Sequence, residues 1–370
     1  MATSKPERRV IGVTDPITRV RRWIRPSIQA SQPYTVAQCD GMLKLDAMES
    51  PYSWGDDMRR EWMEVLRSVD LNLYPDSRAT AVKQRLRQVM GIPDATQVLL
   101  GNGSDELIQI TQTAVGGTDC CVLAPEPTFS MYKVIAATIG LGYIHVPLGA
   151  EFTLNVEQMC DAIVRRQPAA VFLAYPNNPT GNLFERSDLE EIISATDGLV
   201  VLDEAYYPFS GQSFIPDLAD YDNVVVMRSL SKFGMAGLRL GFLVGPTAWL
   251  SQLEKVRLPY NINALTQASV DFALSRVEVF NRQVELICEQ RQSLVRELST
   301  IAGIKVFPSH TNFVLFRIPD ASAVFQGLKK AGILIKCLDE PGSALQDCLR
   351  VTVGRPEDVQ AFITTLRGIV

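Results

Sequence analysis

One lysine of the sequence, Lys232, lies in a setting that can turn its amine into a nucleophile. It belongs to the segment SLSKFGMAGLRLGF, which follows a short β-branched apolar run typical of a buried strand. A lysine amine becomes nucleophilic when partial burial and nearby positive charge lower its pKa, and Arg239 can supply that charge. The hydroxyls of Ser229 and Ser231, together with the Arg239 guanidinium, are groups that bind a phosphate dianion. The segment therefore predicts a Schiff-base lysine beside a phosphate site.

Other side chains that can contact a planar, charged ligand also follow predicted strands. Asp203 comes directly after an apolar run, where a carboxylate is costly unless a cation such as a pyridinium nitrogen faces it. Tyr206 is three residues further on, and the proline-rich loop YPNNPTG, which holds Asn177 and Asn178, can aim an asparagine amide at a ligand. Phe129 can stack on a flat ring or simply pack in the core. With Lys232 these residues predict a site for pyridoxal phosphate.

A second candidate phosphate site is the motif GNGSDELI, in which two glycines precede the start of a predicted helix. Glycine allows the backbone to approach a ligand closely, and the free amides of a helix start bind anions. The alternative is an ordinary helix start in which the Ser104 or Asp105 side chain caps the helix.

The elements that must position these residues alternate between short apolar runs and helical patterns. This alternation predicts an α/β fold with a mostly parallel sheet covered by helices on both faces, with the site at the carboxyl ends of the strands. A single helix, straight or kinked, is predicted over residues 263–300, and a smaller α+β unit follows. We expect an N-terminal segment (1–50) that packs with the small domain, a large cofactor domain (51–261), and a linking helix with the small domain (262–370).

Composition narrows the classes of function. The chain has 370 residues, 46% of them hydrophobic, and a formal charge of −5, which argues against nucleic acid or an anionic membrane as a partner. Seven cysteines without a CxxC pair and two isolated histidines argue against a disulfide framework, a metal site and a histidine-based triad. With no apolar run of membrane-spanning or signal-peptide length, these features predict a cytoplasmic protein.

Nine motifs stand in the order KLDAMESPY, LNLYPD, GNGSDELI, APEPTFSMY, YPNNPTGN, VLDEAY, SLSKFGMAGLRLGF, SHTNFVLF and CLRVTVG. In this order they resemble the pyridoxal-phosphate-dependent aminotransferases of class I/II, which have fold type I. Within that class they most resemble the histidinol-phosphate aminotransferases. The resemblance covers nearly the whole chain.

The resemblance implies a role for each matching residue around the cofactor. Lys232 would form the Schiff base and later move a proton, and Asp203 would keep the pyridine nitrogen protonated. Asn178 and Tyr206 would bind the phenolic oxygen, and Phe129 would stack on the ring. The phosphate would be held by the groups listed here: the amides of Ser104 and Asp105, the side chains of Ser229, Ser231 and Arg239, and Tyr74 from the other chain of a homodimer.

The resemblance also implies a substrate site. Arg350 matches the arginine that binds the substrate carboxylate or phosphate, and Lys336 stands where many relatives carry a second arginine. Tyr34 and Tyr74 would complete the site. The implied reaction moves an amino group between glutamate and a phosphorylated keto acceptor, giving histidinol phosphate from imidazole acetol phosphate.

Three alternatives remain open on the sequence. An aromatic or other amino-acid aminotransferase would use the same cofactor residues. A decarboxylase of the threonine-phosphate type would release carbon dioxide instead of 2-oxoglutarate. A regulator that uses a pyridoxal-phosphate domain as a sensor would need a DNA-binding domain, for which we expect no room ahead of Lys44.

Overall fold

The computed structural model describes residues 15–33, 39–117 and 119–370. The strands in these ranges are β1 Leu43–Lys44, β2 Gln97–Gly101, β3 Cys121–Glu126, β4 Gly142–Pro147, β5 Ala170–Ala174, β6 Leu199–Asp203, β7 Val224–Ser229, β8 Gly241–Gly245, β9 Lys305–Val306, β10 Phe313–Arg317, β11 Ile333–Leu334, β12 Lys336–Cys337 and β13 Cys348–Thr352. The α-helices are α1 Pro16–Trp23, α2 Pro26–Gln29, α3 Asp56–Arg67, α4 Thr80–Met90, α5 Ser104–Val115, α6 Met131–Ile139, α7 Val156–Arg166, α8 Arg186–Ser194, α9 Tyr207–Ser210, α10 Thr247–Leu253, α11 Ala264–Leu274, α12 Val277–Ser299, α13 Ala321–Lys330 and α14 Pro356–Arg367. Short 3-10 turns cover Ala150–Phe152, Ile215–Asp220, Leu230–Phe233 and Ala236–Leu238.

The larger sheet has the strand order β2-β8-β7-β6-β5-β3-β4 within the described residues. Strand β8 is antiparallel to both of its neighbours, and the other pairings are parallel. Parallel strands are joined by crossover helices, and those helices cover both faces of the sheet. The predicted α/β fold of fold type I is confirmed.

The strand sequences explain why both faces are covered. Strands β5 and β6 are buried along their whole length, as their continuous apolar runs require. Because successive side chains of a strand point to opposite faces, Val200 and Leu202 pack into one apolar cluster and Val201 into another. The first cluster includes residues of α4, α7 and α8, and the second includes residues of α5, α6 and α10.

A smaller antiparallel sheet, in the order β12-β13-β10-β9, lies in the C-terminal part of the described chain. Strand β1 pairs in parallel with β11, with Leu43 opposite Ile333, so the N-terminal segment joins this part of the molecule. A third apolar cluster contains side chains of α12, α13 and α14 together with residues of β10 and β13. The division of the chain into three segments stays a prediction.

The single helix predicted over residues 263–300 is wrong in one respect: two helices, α11 and α12, occupy this range. They are separated at Ser275 and Arg276, and Arg276 leaves the helical region with φ −119° and ψ 30°. The Ser275 hydroxyl donates to the Phe272 carbonyl at 2.6 Å. A serine that bonds to the backbone in this way competes with the helix and favours its end.

None of the described helices combines the length and the apolar character that crossing a lipid bilayer demands.

Candidate active site

A cavity of about 230 Å³ lies at the carboxyl ends of β5, β6 and β7. Its lining brings together the predicted residues Ser104, Asp105, Phe129, Asn178, Asp203, Tyr206, Ser229, Ser231, Lys232 and Arg239. The segment after β1 also lines the cavity, through Ala47, Met48 and Glu49. Residues that are far apart in the sequence therefore meet at one edge of the sheet, as expected for a parallel α/β fold.

Lys232 lies in the 3-10 turn that directly follows β7, and its Nζ donates to the Ala47 carbonyl at 3.3 Å. Burial of the amine and, second to it, the positive charge of Arg350 together lower the pKa of Lys232 to about 8. The sequence pointed to Arg239 as the source of that charge. Arg239 does lower this pKa, but its effect is smaller than that of burial or of Arg350.

Asp203, the last residue of β6, is 4% exposed and both of its carboxylate oxygens accept hydrogen bonds. The Tyr132 hydroxyl donates to Oδ2 at 2.6 Å, and the Ala205 amide donates to Oδ1 at 3.0 Å. Burial raises the pKa of Asp203 to about 6, against the effect of these two donors. A buried carboxylate that faces a cavity is stabilised by a cationic group of a ligand, and a protonated pyridine nitrogen is such a group.

Asn178 precedes Asp203 in the sequence and Tyr206 follows it. Both side chains are buried, and both line the cavity. The Asn178 Oδ1 accepts a hydrogen bond of 2.5 Å from Nη1 of Arg350, and the Nη2 of Arg350 donates to the Asp46 carbonyl at 3.1 Å. Burial raises the pKa of Tyr206, which keeps its hydroxyl protonated and able to donate. Arg350 thus reaches the site through Asn178, behind the residues that line the cavity.

The phosphate site predicted at GNGSDELI has the geometry of an anion site. Helix α5 begins at Ser104 with Gly103 at the N-cap, and no side chain caps it. The alternative of a cap from Ser104 or Asp105 is therefore wrong, because the chain reaches the helix through a glycine at φ +84°. A Cβ at Gly103 would lie 2.5 Å from Nη2 of Arg239, and one at Gly241 would lie 2.8 Å from the Gly103 backbone.

The serine pair completes this region. The Ser229 hydroxyl accepts from the Ser231 amide at 3.1 Å, and Nη1 of Arg239 donates to the Ser231 hydroxyl at 3.4 Å. Arg239 also approaches Asp105, with 3.6 Å between Nη2 and Oδ2. A phosphate group fits this space, which only glycines leave open. Hydroxyls, a guanidinium and uncapped amides surround it. The residues present therefore fit pyridoxal phosphate at both its ring nitrogen and its phosphate.

Three predicted residues lie elsewhere. The Tyr74 side chain is 81% exposed and stacks on Tyr260 with 4.5 Å between ring centroids, away from the cavity of its own chain. Lys336 is exposed on β12, directly opposite Arg350 on β13, and does not line the cavity. Tyr34 lies outside the described residues. The roles of these three stay predictions.

The sequence reasoning missed three features of the site. Tyr132 contacts Asp203, and the only signal was its place one helical turn after Phe129 in the motif APEPTFSMY. Ahead of helix α6, which begins at Met131, the Thr128 hydroxyl donates to Asn177 Oδ1 at 2.8 Å and joins two loops of the site. Glu49 lines the cavity from a segment whose sequence indicates only a turn.

A buried ion pair lies directly behind the site. Both Nε and Nη2 of Arg228 donate to Oε2 of Glu204, at 3.0 and 2.8 Å, and the two side chains are 5% and 0% exposed. The Ser213 hydroxyl and the Phe214 amide also donate to the Glu204 carboxylate, at 2.8 and 2.7 Å. Because Glu204 follows Asp203 and Arg228 precedes Ser229, this pair links the two strand ends that carry the site.

A family model described as aminotransferase class I and II matches residues 40–366. The chain belongs to the class I and II aminotransferase family. Enzymes of this family are pyridoxal-phosphate-dependent transaminases, so the predicted cofactor and enzyme class are confirmed. The residues around the cavity described above fit that cofactor.

Similar proteins agree with this membership. Histidinol-phosphate aminotransferase 2 of Nitrosococcus oceani is 52% identical over 352 residues, which cover 95% of this chain and 98% of the relative. The crystal structure of histidinol-phosphate aminotransferase from Sinorhizobium meliloti in complex with pyridoxal-5'-phosphate has a TM-score of 0.82 at 22% identity, covering 93% of this chain and 98% of that one. L-threonine-O-3-phosphate decarboxylase from Porphyromonas gingivalis has a TM-score of 0.74 at 22% identity, covering 88% and 99%. The two structures show the shared fold alone.

Proposed function

We propose that this aminotransferase transfers the amino group between L-histidinol phosphate and 2-oxoglutarate, which interconverts histidinol phosphate and imidazole acetol phosphate, as a step of histidine biosynthesis. The observation that carries the proposal is the 52% identity to a relative named histidinol-phosphate aminotransferase, over nearly all of both chains. The decarboxylase shares only the fold, so the sequence similarity favours transamination.

The residues assigned to the substrate must bind anions, since both substrates carry carboxylate or phosphate groups. Arg350 supplies a guanidinium that is 6% exposed and fixed by Asn178 and by the Asp46 carbonyl. A planar guanidinium binds carboxylate and phosphate in a bidentate manner, so one residue can serve two substrates in turn. Lys336, opposite Arg350 on the neighbouring strand, would add a second positive charge beside Arg350.

The chain's own residues provide the acid–base chemistry. Pyridoxal phosphate, when bound, supplies an aldehyde that condenses with amines and a ring that withdraws electrons from the substrate Cα. Lys232, whose lowered pKa leaves part of its amine neutral near pH 7.5, accepts the proton from the substrate Cα. Asp203 stabilises positive charge on the group that faces it. Ser229, Ser231 and Arg239, which are already joined by hydrogen bonds, would hold the phosphate and fix its position.

We also propose that the active enzyme is a homodimer in the cytoplasm. Tyr74 and its stacking partner Tyr260 lie on an exposed apolar surface that also includes Leu71, Leu73 and Leu258, exposed by 71%, 61% and 71%. Exposed apolar patches of this kind mark protein interfaces. A second copy that covers this surface would bring Tyr74 to the partner's phosphate site, so each site would need both chains.

The test is a substrate assay on the purified, cofactor-loaded enzyme. Glutamate formation from 2-oxoglutarate is measured with histidinol phosphate, and then with phenylalanine, as the amino donor. We expect kcat/KM to be at least about a hundred-fold higher for histidinol phosphate than for phenylalanine. Phenylalanine has no phosphate, so it would leave the buried charge that binds the phosphate unpaired. Equal kcat/KM values for both donors would indicate a general aromatic aminotransferase, and carbon dioxide release would indicate a decarboxylase.

A variant separates the role of the lysine from that of the fold. Lys232→Ala should remove the visible absorbance of the covalently bound cofactor and abolish turnover. Lys83→Ala is the matched control, because burial also lowers the pKa of Lys83 but this lysine does not line the cavity. Turnover by Lys232→Ala at the wild-type rate would contradict the assignment.

A further inference from the structure

The hydroxyl of Tyr132 is the only side-chain donor to Asp203 among the described residues. It donates to Oδ2 at 2.6 Å, and the tyrosine is 0% exposed. A hydrogen bond this short, between a buried hydroxyl and a carboxylate, belongs to the stronger, charge-assisted class. Tyr132 itself does not line the cavity.

Contacts on several sides of the Tyr132 ring fix the direction of its hydroxyl. It stacks on Phe172 with 4.9 Å between centroids and 25° between planes. Phe129, which lines the cavity, meets it edge-on at 5.6 Å and 85°. Its carbonyl accepts a hydrogen bond of 2.9 Å from the buried Gln112 amide. Helix α6 is therefore anchored so that one side chain both supports the aromatic wall and reaches the carboxylate.

On this geometry we propose that Tyr132 is a positioning residue, which keeps the Asp203 carboxylate ionised and fixes its plane toward the cavity. With the Ala205 amide on Oδ1, the Tyr132 hydroxyl on Oδ2 leaves the carboxylate no freedom to rotate without losing a hydrogen bond. The inference rests on the proposed role of Asp203 opposite the cofactor's ring nitrogen.

The surroundings of Asp203 show why such a donor matters. Burial raises its pKa, and the negative charges of Asp105 on α5 and of Glu204 raise it further. Lys232 lines the same cavity, and the Tyr206 hydroxyl is neutral because burial raises its pKa. The hydrogen bonds from Tyr132 and Ala205 act in the opposite direction, because they stabilise the ionised form. Without the hydroxyl, a larger fraction of Asp203 is protonated near neutral pH, and a neutral acid does not stabilise a pyridinium.

The test compares two ligands on four proteins. Dissociation constants are measured for pyridoxal phosphate and for its 1-deaza analogue, in which carbon replaces the ring nitrogen. The ratio of the two constants reports the contact between Asp203 and the nitrogen. Tyr132→Phe should reduce this ratio roughly ten-fold, the effect of one hydrogen bond to a charged group. Tyr132→His, which keeps an aromatic donor, should retain part of the ratio.

The other two variants identify what fails. Asp203→Asn should collapse the ratio, and Tyr221→Phe, which removes a tyrosine hydroxyl that donates to Glu190 at 3.3 Å outside the cavity, should leave it at the wild-type value. A purely structural role for Tyr132 would weaken both ligands alike and leave the ratio unchanged, which overturns the inference. If Asp203→Asn also leaves the ratio unchanged, the proposed role of Asp203 falls, and the inference falls with it.

Discussion

The buried pair of Glu204 and Arg228 provides a quantitative test of how the site is supported. Replacing Arg228 by methionine keeps an unbranched apolar stem but removes the only cation paired with Glu204 among the described residues. The Glu204 carboxylate, 0% exposed, keeps its bonds to the Ser213 hydroxyl and the Phe214 amide but loses two charge-assisted bonds. Removing one partner of a buried pair costs about 3–5 kcal/mol, so we expect the free energy of unfolding to fall by that amount.

The pH dependence gives the reasoning a second check. Burial raises the pKa of Glu204, and Arg228 opposes this effect, so Arg228→Met should raise that pKa further. A carboxyl whose pKa is higher in the folded than in the unfolded chain loses stability as the pH rises from the unfolded to the folded value. The destabilisation by Arg228→Met should therefore be small in mild acid and grow toward neutral pH.

The assay is chemical denaturation of the cofactor-free chain at several pH values. The matched control is Arg276→Met, which removes an arginine from an exposed pair with Glu61, where the two side chains are 48% and 53% exposed. An exposed pair contributes about 0–1 kcal/mol, so this variant should unfold near the wild-type midpoint. If Arg228→Met costs no more than Arg276→Met at neutral pH, the buried pair does not stabilise the strand ends and the argument is refuted.

Three further predictions concern the cavity. In the cofactor-free chain, an amine-reactive reagent should modify Lys232 with a midpoint near pH 8, whereas an ordinary lysine has its midpoint near pH 10.5. Peptide mapping after labelling at several pH values measures this midpoint, and a midpoint near 10.5 would contradict the prediction. Gly103→Ala should weaken pyridoxal phosphate binding at least about ten-fold, because the added Cβ meets Arg239. The control is Gly211→Ala, which is also at positive φ but has open space around it and should leave binding unchanged. Equal effects of the two substitutions would point to backbone strain alone. Arg350→Lys should raise KM for glutamate about ten-fold, since lysine cannot make the bidentate contact, and steady-state kinetics with an unchanged KM would remove Arg350 from the substrate site.

The sequence by itself determined most of the elements and the nature of the site. Continuous apolar runs such as β5 and β6, and helical periodicity such as that of α4 and α7, depend only on neighbours along the chain. Strand ends in a parallel sheet share one edge, so Asp203 and Lys232 could be expected to meet before any coordinates were known.

Tertiary structure decided the features that depend on residues far apart in the chain. The hydroxyl of Tyr132 reaches Asp203 across 71 positions, and the lowered pKa of Lys232 depends more on burial and on Arg350 than on Arg239. The break between α11 and α12 follows from a hydrogen bond of Ser275 that periodicity does not reveal. Local patterns determine which elements form, but the electrostatics of the site come from how those elements pack, because burial and charge act through space and not along the sequence.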